Sequence, residues 1–171
     1  MEGELIDTFD EEGMRTGKAT RKEAHAKGYI HKSVMFFILD RKGRIFVNQR
    51  TKEKDFYPEY YSIALGGHVS AGDIHDRAVL REAEEEAGIR DVPAIFITSF
   101  KKRHDEKDRE NVKVYAFVAD GELKLDPKEI KHGRFMSPDE LEGLMKKEKF
   151  LPETKVLYGI LSKYMGRSSS T

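Results

Sequence analysis

The chain has 171 residues, enough for one domain with a core that needs no crosslinks, and its 31 basic and 31 acidic side chains cancel to a formal charge of zero. That balance lacks the basic footprint of a protein gripping duplex nucleic acid by its phosphates, and the absence of cysteine excludes disulfides, Cys-bearing zinc sites and thiol nucleophiles. No apolar run approaches about 18 residues and Met1-Glu2-Gly3-Glu4 is neither basic nor apolar, so a soluble cytoplasmic protein with no membrane partner is expected.

In chain order, Leu5 to Phe9 reads as an opening strand with Asp10 to Gly13 as its turn. Thr20 and Glu23 have capping-box spacing, which starts a short helix that Gly28 ends. Ser33 to Leu39, SVMFFIL, is a buried strand, and the turn Asp40 to Gly43 leads it into a hairpin partner, Arg44 to Gln49. Residues 51–60, TKEKDFYPEY, form a charged aromatic loop in which Pro58 argues against strand. Tyr61 to Leu65 then runs into the double glycine Gly66-Gly67. Beyond a glutamate-rich helix, Ala94 to Lys101 and Val112 to Val118 read as a second hairpin around a charged loop. Ser137-Pro138-Asp139-Glu140 opens another capped helix, and a last helix runs from about Glu153 to Tyr164. Residues 1–165 are read as one domain, with Gly166 to Thr171 as a disordered tail. Hairpins mixed with helices imply a mixed sheet between helices rather than a doubly wound parallel one.

The glutamate-rich helix raises the chemical question, because Arg81-Glu82-Ala83-Glu84-Glu85-Glu86 places four carboxylates in five consecutive residues. At about 100° per residue, Val79, Leu80, Ala83 and Ala87 share one arc, and Glu82, Glu85 and Glu86 are expected on the opposite side. A solvated face normally alternates sign, since like charges four residues apart cost roughly 0.2–0.5 kcal/mol per pair. A hard divalent cation removes that repulsion, because Mg²⁺ takes oxygen ligands and shares itself between carboxylates and a substrate's phosphates. Gly66 and Gly67 permit a close backbone approach, Gly72-Asp73 puts a carboxylate near the helix start, Arg81 can hold a glutamate with a two-pronged hydrogen bond, and Gly88 stops the helix.

This stretch resembles the Nudix box, G-x5-E-x7-R-E-U-x-E-E-x-G-U with U apolar. The chain supplies Gly67, Asp73, Arg81, Glu82, Ala83, Glu85, Glu86, Gly88 and Ile89 at those places, with Asp73 one methylene shorter than the usual Glu. The resemblance implies an α/β (α+β) fold, an α/β/α sandwich with a mixed β-sheet and a loop-helix-loop catalytic motif. It also implies metal-dependent hydrolysis of a diphosphate bond by water attack at phosphorus. Carried over, Glu82, Glu85 and Glu86 are the metal ligands, for Mg²⁺ or Mn²⁺, and with Arg81 and Asp73 they form the catalytic set. The base that activates water is one of these glutamates or one outside the box; Glu106 and Glu110 are candidates, with a charged hairpin tip as the plainer reading of both.

Beyond the box, Glu4 to Asp7, Thr20-Arg21, His25, His31, Asn48-Gln49-Arg50 and Gly66-Gly67-His68 are similar in order to the Nudix subgroup nearest isopentenyl diphosphate isomerase. That enzyme binds a metal through three histidines and two glutamates and protonates carbon with a cysteine and a glutamate. His25, His31, His68 and Glu110 match by motif order, but Gly66 stands in place of the cysteine and Val112 in place of the second acid. Hydrolysis is therefore preferred to isomerisation, and the retained glutamates favour turnover over a non-catalytic nucleotide sensor. Whether the histidines bind a metal stays open, since imidazole prefers transition ions. Arg50, Lys54, Gly66 and Gly67 are the candidate substrate-binding residues; Phe56, Tyr57, Tyr60 and Tyr61 are aromatics that can stack on a base. The expected partner is a small-molecule diphosphate, with a nucleoside diphosphate derivative as the substrate class, and similar proteins are often homodimers.

Overall fold

The structure, a computed structural model, describes residues 3–103 and 105–166, so all but the first residue of the expected tail lies outside the described residues. The chain forms nine strands and four helices among those residues. Two strands, β1 (Leu5–Phe9) and β2 (Arg15–Thr20), make an antiparallel hairpin of their own. Its turn is closed by the Asp10 carboxylate, which accepts from the backbone N–H of Glu12 and Met14, and by Gly13 at φ 86°. The second strand went unread in the sequence because RTGKAT has no apolar alternation; Ala19 is its buried residue.

The remaining strands are β3 (His31–Leu39), β4 (Ile45–Arg50), β5 (Tyr61–Ser62), β6 (Leu65–His68), β7 (Ile95–Arg103), β8 (Arg109–Val118) and β9 (Ile130–Met136). They build one mixed seven-stranded sheet in the order β5-β4-β3-β8-β7, with β6 added on β3 and β9 on β4. Both expected hairpins form as neighbours in that order. The second differs in extent, because β8 begins at Arg109 and takes in Glu110 where a charged hairpin tip was expected. Helices are α1 (Arg21–Lys27), α2 (His75–Ala87), α3 (Pro138–Lys147) and α4 (Thr154–Tyr164). Thr20 caps α1 by accepting from the Glu23 N–H, Gly28 ends it at φ 69°, and Ser137 with Glu140 makes a reciprocal capping box on α3.

The residues group into two compact units. One comprises Met1–Met35, Gly66–Glu82 and Ala94–Tyr115; its core includes Ile6, Ala24, Ile30, Val34, Val79 and Val114. The other comprises Phe36–Leu65, Ala83–Pro93 and Ala116–Thr171. Phe36 and Phe117 meet edge to face at 5.4 Å in that second core, which Leu157 and Leu161 of α4 and Leu141 of α3 also join. Each large side chain buried there contributes roughly 1.5–3 kcal/mol of hydrophobic stabilisation. The uninterrupted apolar run at the end of β3 is buried on both faces, as SVMFFIL implied.

Candidate active site and imidazole cluster

Helix α2 buries Ala78, Val79, Ala83 and Ala87, and Gly88 at φ 68° stops it by donating to the Glu84 carbonyl. The expected arc needs two corrections. Leu80 lies at its margin and is exposed, while Glu82 and Glu86 are half-buried on the flank of the packed face rather than opposite it; Glu85 is exposed. The three glutamates keep the spacing of successive turns, so their carboxylates leave α2 on one side. Half-burial matters here, since a carboxylate drawn out of water requires positive charge or donors in return.

Gly67 is what lets Glu82 sit so. A Cβ built on Gly67 would fall 2.4 Å from the Glu82 carboxyl carbon, so that carboxylate lies directly against bare main chain. Arg81 divides its guanidinium where a two-pronged bond to a glutamate was expected. One nitrogen donates to Asp73 Oδ2 at 3.2 Å and another to the His68 carbonyl at 3.3 Å, with Glu82 Oε1 at 3.7 Å from the latter. Asp73 also accepts from the Ile74 N–H at 2.8 Å and pairs with Arg77 at 3.3 Å. The shorter acid thus anchors Arg81.

A second group of ligating side chains comes from three separate elements. His25 projects from α1, His31 opens β3 and His68 closes β6, and one nitrogen of each lies within 4.8 Å of the others. The His31 and His68 rings stack with centroids 4.9 Å apart, and His25 meets both edge-on. His31 is fully buried, and its Nδ1 lies 3.0 Å from the Tyr29 carbonyl. A carbonyl only accepts, so Nδ1 carries a proton, and in the neutral ring that leaves the lone pair on Nε2. That Nε2 is buried with no hydrogen-bond partner. Burial, reinforced by the Arg21 charge and the neighbouring rings, holds His68 well below the usual imidazole range; burial and His31 lower His25. Neutral imidazoles are the ligating form.

Glu110 lies beside this group, its Oε1 3.9 Å from Nε2 of both His31 and His68. It is buried, not a hairpin tip, whereas Glu106 is exposed in the β7–β8 loop. Burial pushes Glu110 up, but the hydrogen bond from Asp108 and the charge of Lys102, 3.6 Å away, outweigh it and leave the group below the ordinary carboxylate value. Asp108 is raised by its own burial and by Glu110. Lys102 and Asp108 are not marked by the sequence pattern: Lys102 lies in β7, one residue beyond the Lys101 expected to end that strand, and Asp108 immediately precedes β8, two residues before Glu110.

The candidate substrate residues are committed to local structure. Arg50 donates to the carbonyls of Tyr57 at 3.2 Å and Phe56 at 3.0 Å, and Lys54 pairs with Glu129. Arg50 thereby holds a loop in which Tyr57 and Glu59 sit at φ 50° and 62°. Phe56 is exposed at the tip, with Tyr57 and Tyr60 in ring contact. At Gly66, a Cβ would come within 2.2 Å of the Val34 carbonyl oxygen, so the backbone there admits no side chain.

The NUDIX domain family model matches residues 29–157, which includes β3 through α3, the first turn of α4 and the whole glutamate helix. The chain belongs to the Nudix family. It is 34% identical over 167 residues to an uncharacterized Nudix hydrolase of Streptomyces coelicolor, covering 96% of this chain and 92% of that one. It is also 28% identical over 145 residues to the isopentenyl-diphosphate Delta-isomerase of the same organism, covering 80% and 73%. Among solved structures, a Deinococcus radiodurans protein superposes with a TM-score of 0.78 at 20% identity, over 94% of this chain and 98% of that one, which shows a shared fold. The Nudix box is therefore a family feature of this chain, and no helix among the described residues is long and apolar enough to cross a membrane.

Proposed function

We propose that this Nudix chain hydrolyses a phosphoanhydride bond in a nucleoside diphosphate derivative, using Mg²⁺ or Mn²⁺ on Glu82, Glu85 and Glu86. One observation carries the reading: the half-buried Glu82 carboxylate, seated against the bare backbone of Gly67 and flanked by two more glutamates on the next turn. That arrangement suits a hard cation, and family membership brings divalent-ion chemistry with it. Such an ion neutralises charge gathering on nonbridging oxygens and on the departing phosphate. Arg81 orients Glu82 from its Asp73 anchor. Glu85, the most exposed of the three, meets water and is positioned to draw a proton from the attacking molecule. Arg50 supports the reading as the residue that shapes loop 51–60, whose Phe56 and Tyr57 offer flat apolar surface to a base.

The isomerase reading has one observation in its favour, the assembled imidazoles beside Glu110. It lacks the chemistry. The Val34 carbonyl closes the position at which a thiol would stand, and Val112, where the second acid would be, is buried and apolar. A screen of nucleoside diphosphates, sugar nucleotides, dinucleoside polyphosphates and isopentenyl diphosphate, with Mg²⁺ or Mn²⁺ and wild type beside Glu85→Gln, tests the proposal. Metal-dependent release of phosphate or nucleotide, lost by orders of magnitude in the variant, is the expected result. Isomerised product without hydrolysis would reverse the ranking, and tight nucleotide binding without product would make the chain a sensor.

A further inference from the structure

We propose that Arg81 is a positioning residue that couples the imidazole cluster to the Nudix box, so that an ion on His25, His31 and His68 raises the affinity of the box for its own divalent ion. The inference rests on the box binding such an ion and adds a dependence between two sites. Its basis is the two-residue segment Gly67-His68. Gly67 is the floor against which the Glu82 carboxylate lies, and the next residue carries one imidazole of the cluster. One Arg81 nitrogen stands between the two, 3.3 Å from the His68 carbonyl and 3.7 Å from Glu82 Oε1. The far side of the guanidinium is fixed by Asp73, itself tied to Arg77 and to the Ile74 N–H. A displacement of the His68 main chain therefore moves the surface under Glu82 and the donor beside it.

The cluster is built to be filled. His31 Nε2 is fully buried with no hydrogen-bond partner, its Nδ1 is held by the Tyr29 carbonyl, and Glu110 stands 3.9 Å away. Three imidazole nitrogens choose a transition ion over Mg²⁺, whereas carboxylates accept Mg²⁺ or Mn²⁺, so the two sites take different ions from one mixture. An ion drawing the three rings together restrains His68, and the carboxylate that leans on Gly67 is restrained with it. Linkage makes the effect reciprocal: the box ion must tighten the cluster by the same factor.

The test is Mn²⁺ titration followed by electron paramagnetic resonance, on wild type with and without one equivalent of Zn²⁺. Coupling predicts Mn²⁺ affinity about fivefold or more higher in the Zn²⁺-loaded protein. Arg81→Lys should keep stoichiometric Zn²⁺ binding and an unchanged Co²⁺ absorption spectrum while its Mn²⁺ affinity ignores Zn²⁺. Equal Mn²⁺ affinities in the two wild-type samples overturn the proposal, as does failure to take up one Zn²⁺; coupling that survives in Arg81→Lys removes Arg81 from it. Absence of any Mn²⁺ binding sinks both this inference and the hydrolase reading. Because binding is measured, a coupled protein that hydrolyses nothing sinks the hydrolase reading alone, and an active enzyme with independent sites sinks the coupling alone.

Discussion

The glutamate face of α2 and the imidazole cluster each present three candidate ligands, yet they are assembled in different ways. Glu82, Glu85 and Glu86 lie on one helix, and helical spacing alone puts them on a common side. His25, His31 and His68 belong to a helix, the start of a long strand and the end of a short one, and only the folded chain brings their nitrogens within 4.8 Å. The first group consists of hard carboxylate oxygens partly open to water; the second consists of softer imidazole nitrogens, more deeply buried. The two proposed sites thus suit different ions, and the comparison predicts opposite sensitivities to mutation.

The largest difference should appear in turnover. Glu82→Gln should lower kcat/KM by two orders of magnitude or more, equivalent to about 2.7 kcal/mol or more of transition-state stabilisation. The variant should leave the Co²⁺ absorption of the cluster in place. His25→Ala should abolish that absorption and cost less than about tenfold in kcat/KM, a loss of under roughly 1.4 kcal/mol. If His25→Ala proves the more damaging variant, the chemistry belongs to the histidines and the assignment of roles is inverted.

Stability should show the next effect. Gly66→Cys restores the thiol position of the isomerase pattern, but its Cβ meets the Val34 main-chain oxygen at 2.2 Å and the strand must move. Overpacking of this kind costs about 1–3 kcal/mol, which for a chain of this size lowers Tm by roughly 2–12 °C. Calorimetry checks it. A variant as stable as wild type would mean that β6 yields easily, and the physical case against isomerase chemistry would weaken.

The same contrast explains what the sequence disclosed. The box, both cap pairs and the run SVMFFIL were legible because each is local: spacing along one helix, a Ser or Thr three residues before Glu, or an unbroken apolar stretch. The flank position of Glu82 and Glu86 also follows from helical spacing, and the expectation that they lie opposite is corrected by it: at about 100° per residue Glu86 falls about 20° and Glu82 about 60° from the buried Val79. Glu110 looks like loop in the sequence because a charge-rich stretch hides its place in β8, where Arg109 to Val118 is a single strand. Charge alone marks Arg50 and Lys54 as candidate phosphate contacts; their partners within the fold, the Phe56 and Tyr57 carbonyls and Glu129, include one 75 residues away.

Arg50 gives the next prediction in size. It holds the loop through two carbonyls, each bond contributing about 0.5–1.5 kcal/mol, and residues at positive φ cost about 1–3 kcal/mol each unless their surroundings impose the conformation. Arg50→Ala should raise KM for a nucleotide substrate about fivefold or more and speed proteolysis within residues 51–60, with the cluster's Co²⁺ absorption unchanged. A purely structural loop with no substrate contact would become protease-sensitive at constant KM.

The smallest effect concerns a histidine that belongs to neither group. His75 opens α2, is buried, and lies with Nε2 3.1 Å from the Asn111 carbonyl, to which it donates. Burial lowers its pKa, only partly opposed by that hydrogen bond, so the folded protein releases this proton more readily than the unfolded chain does. Below the ordinary imidazole value of about 6.5 the unfolded chain takes up the proton first, and the stability contributed by neutral His75 is lost as pH falls through its depressed folded value. Denaturant midpoints measured in excess chelator between pH 7.5 and 5 should therefore fall more steeply for wild type than for His75→Gln. His25 and His68 add slopes of the same sign in both proteins, so only the difference between the curves belongs to His75. Parallel curves would mean that His75 keeps its proton equilibrium on folding, and that the α2 N-terminus is wetter than its burial implies.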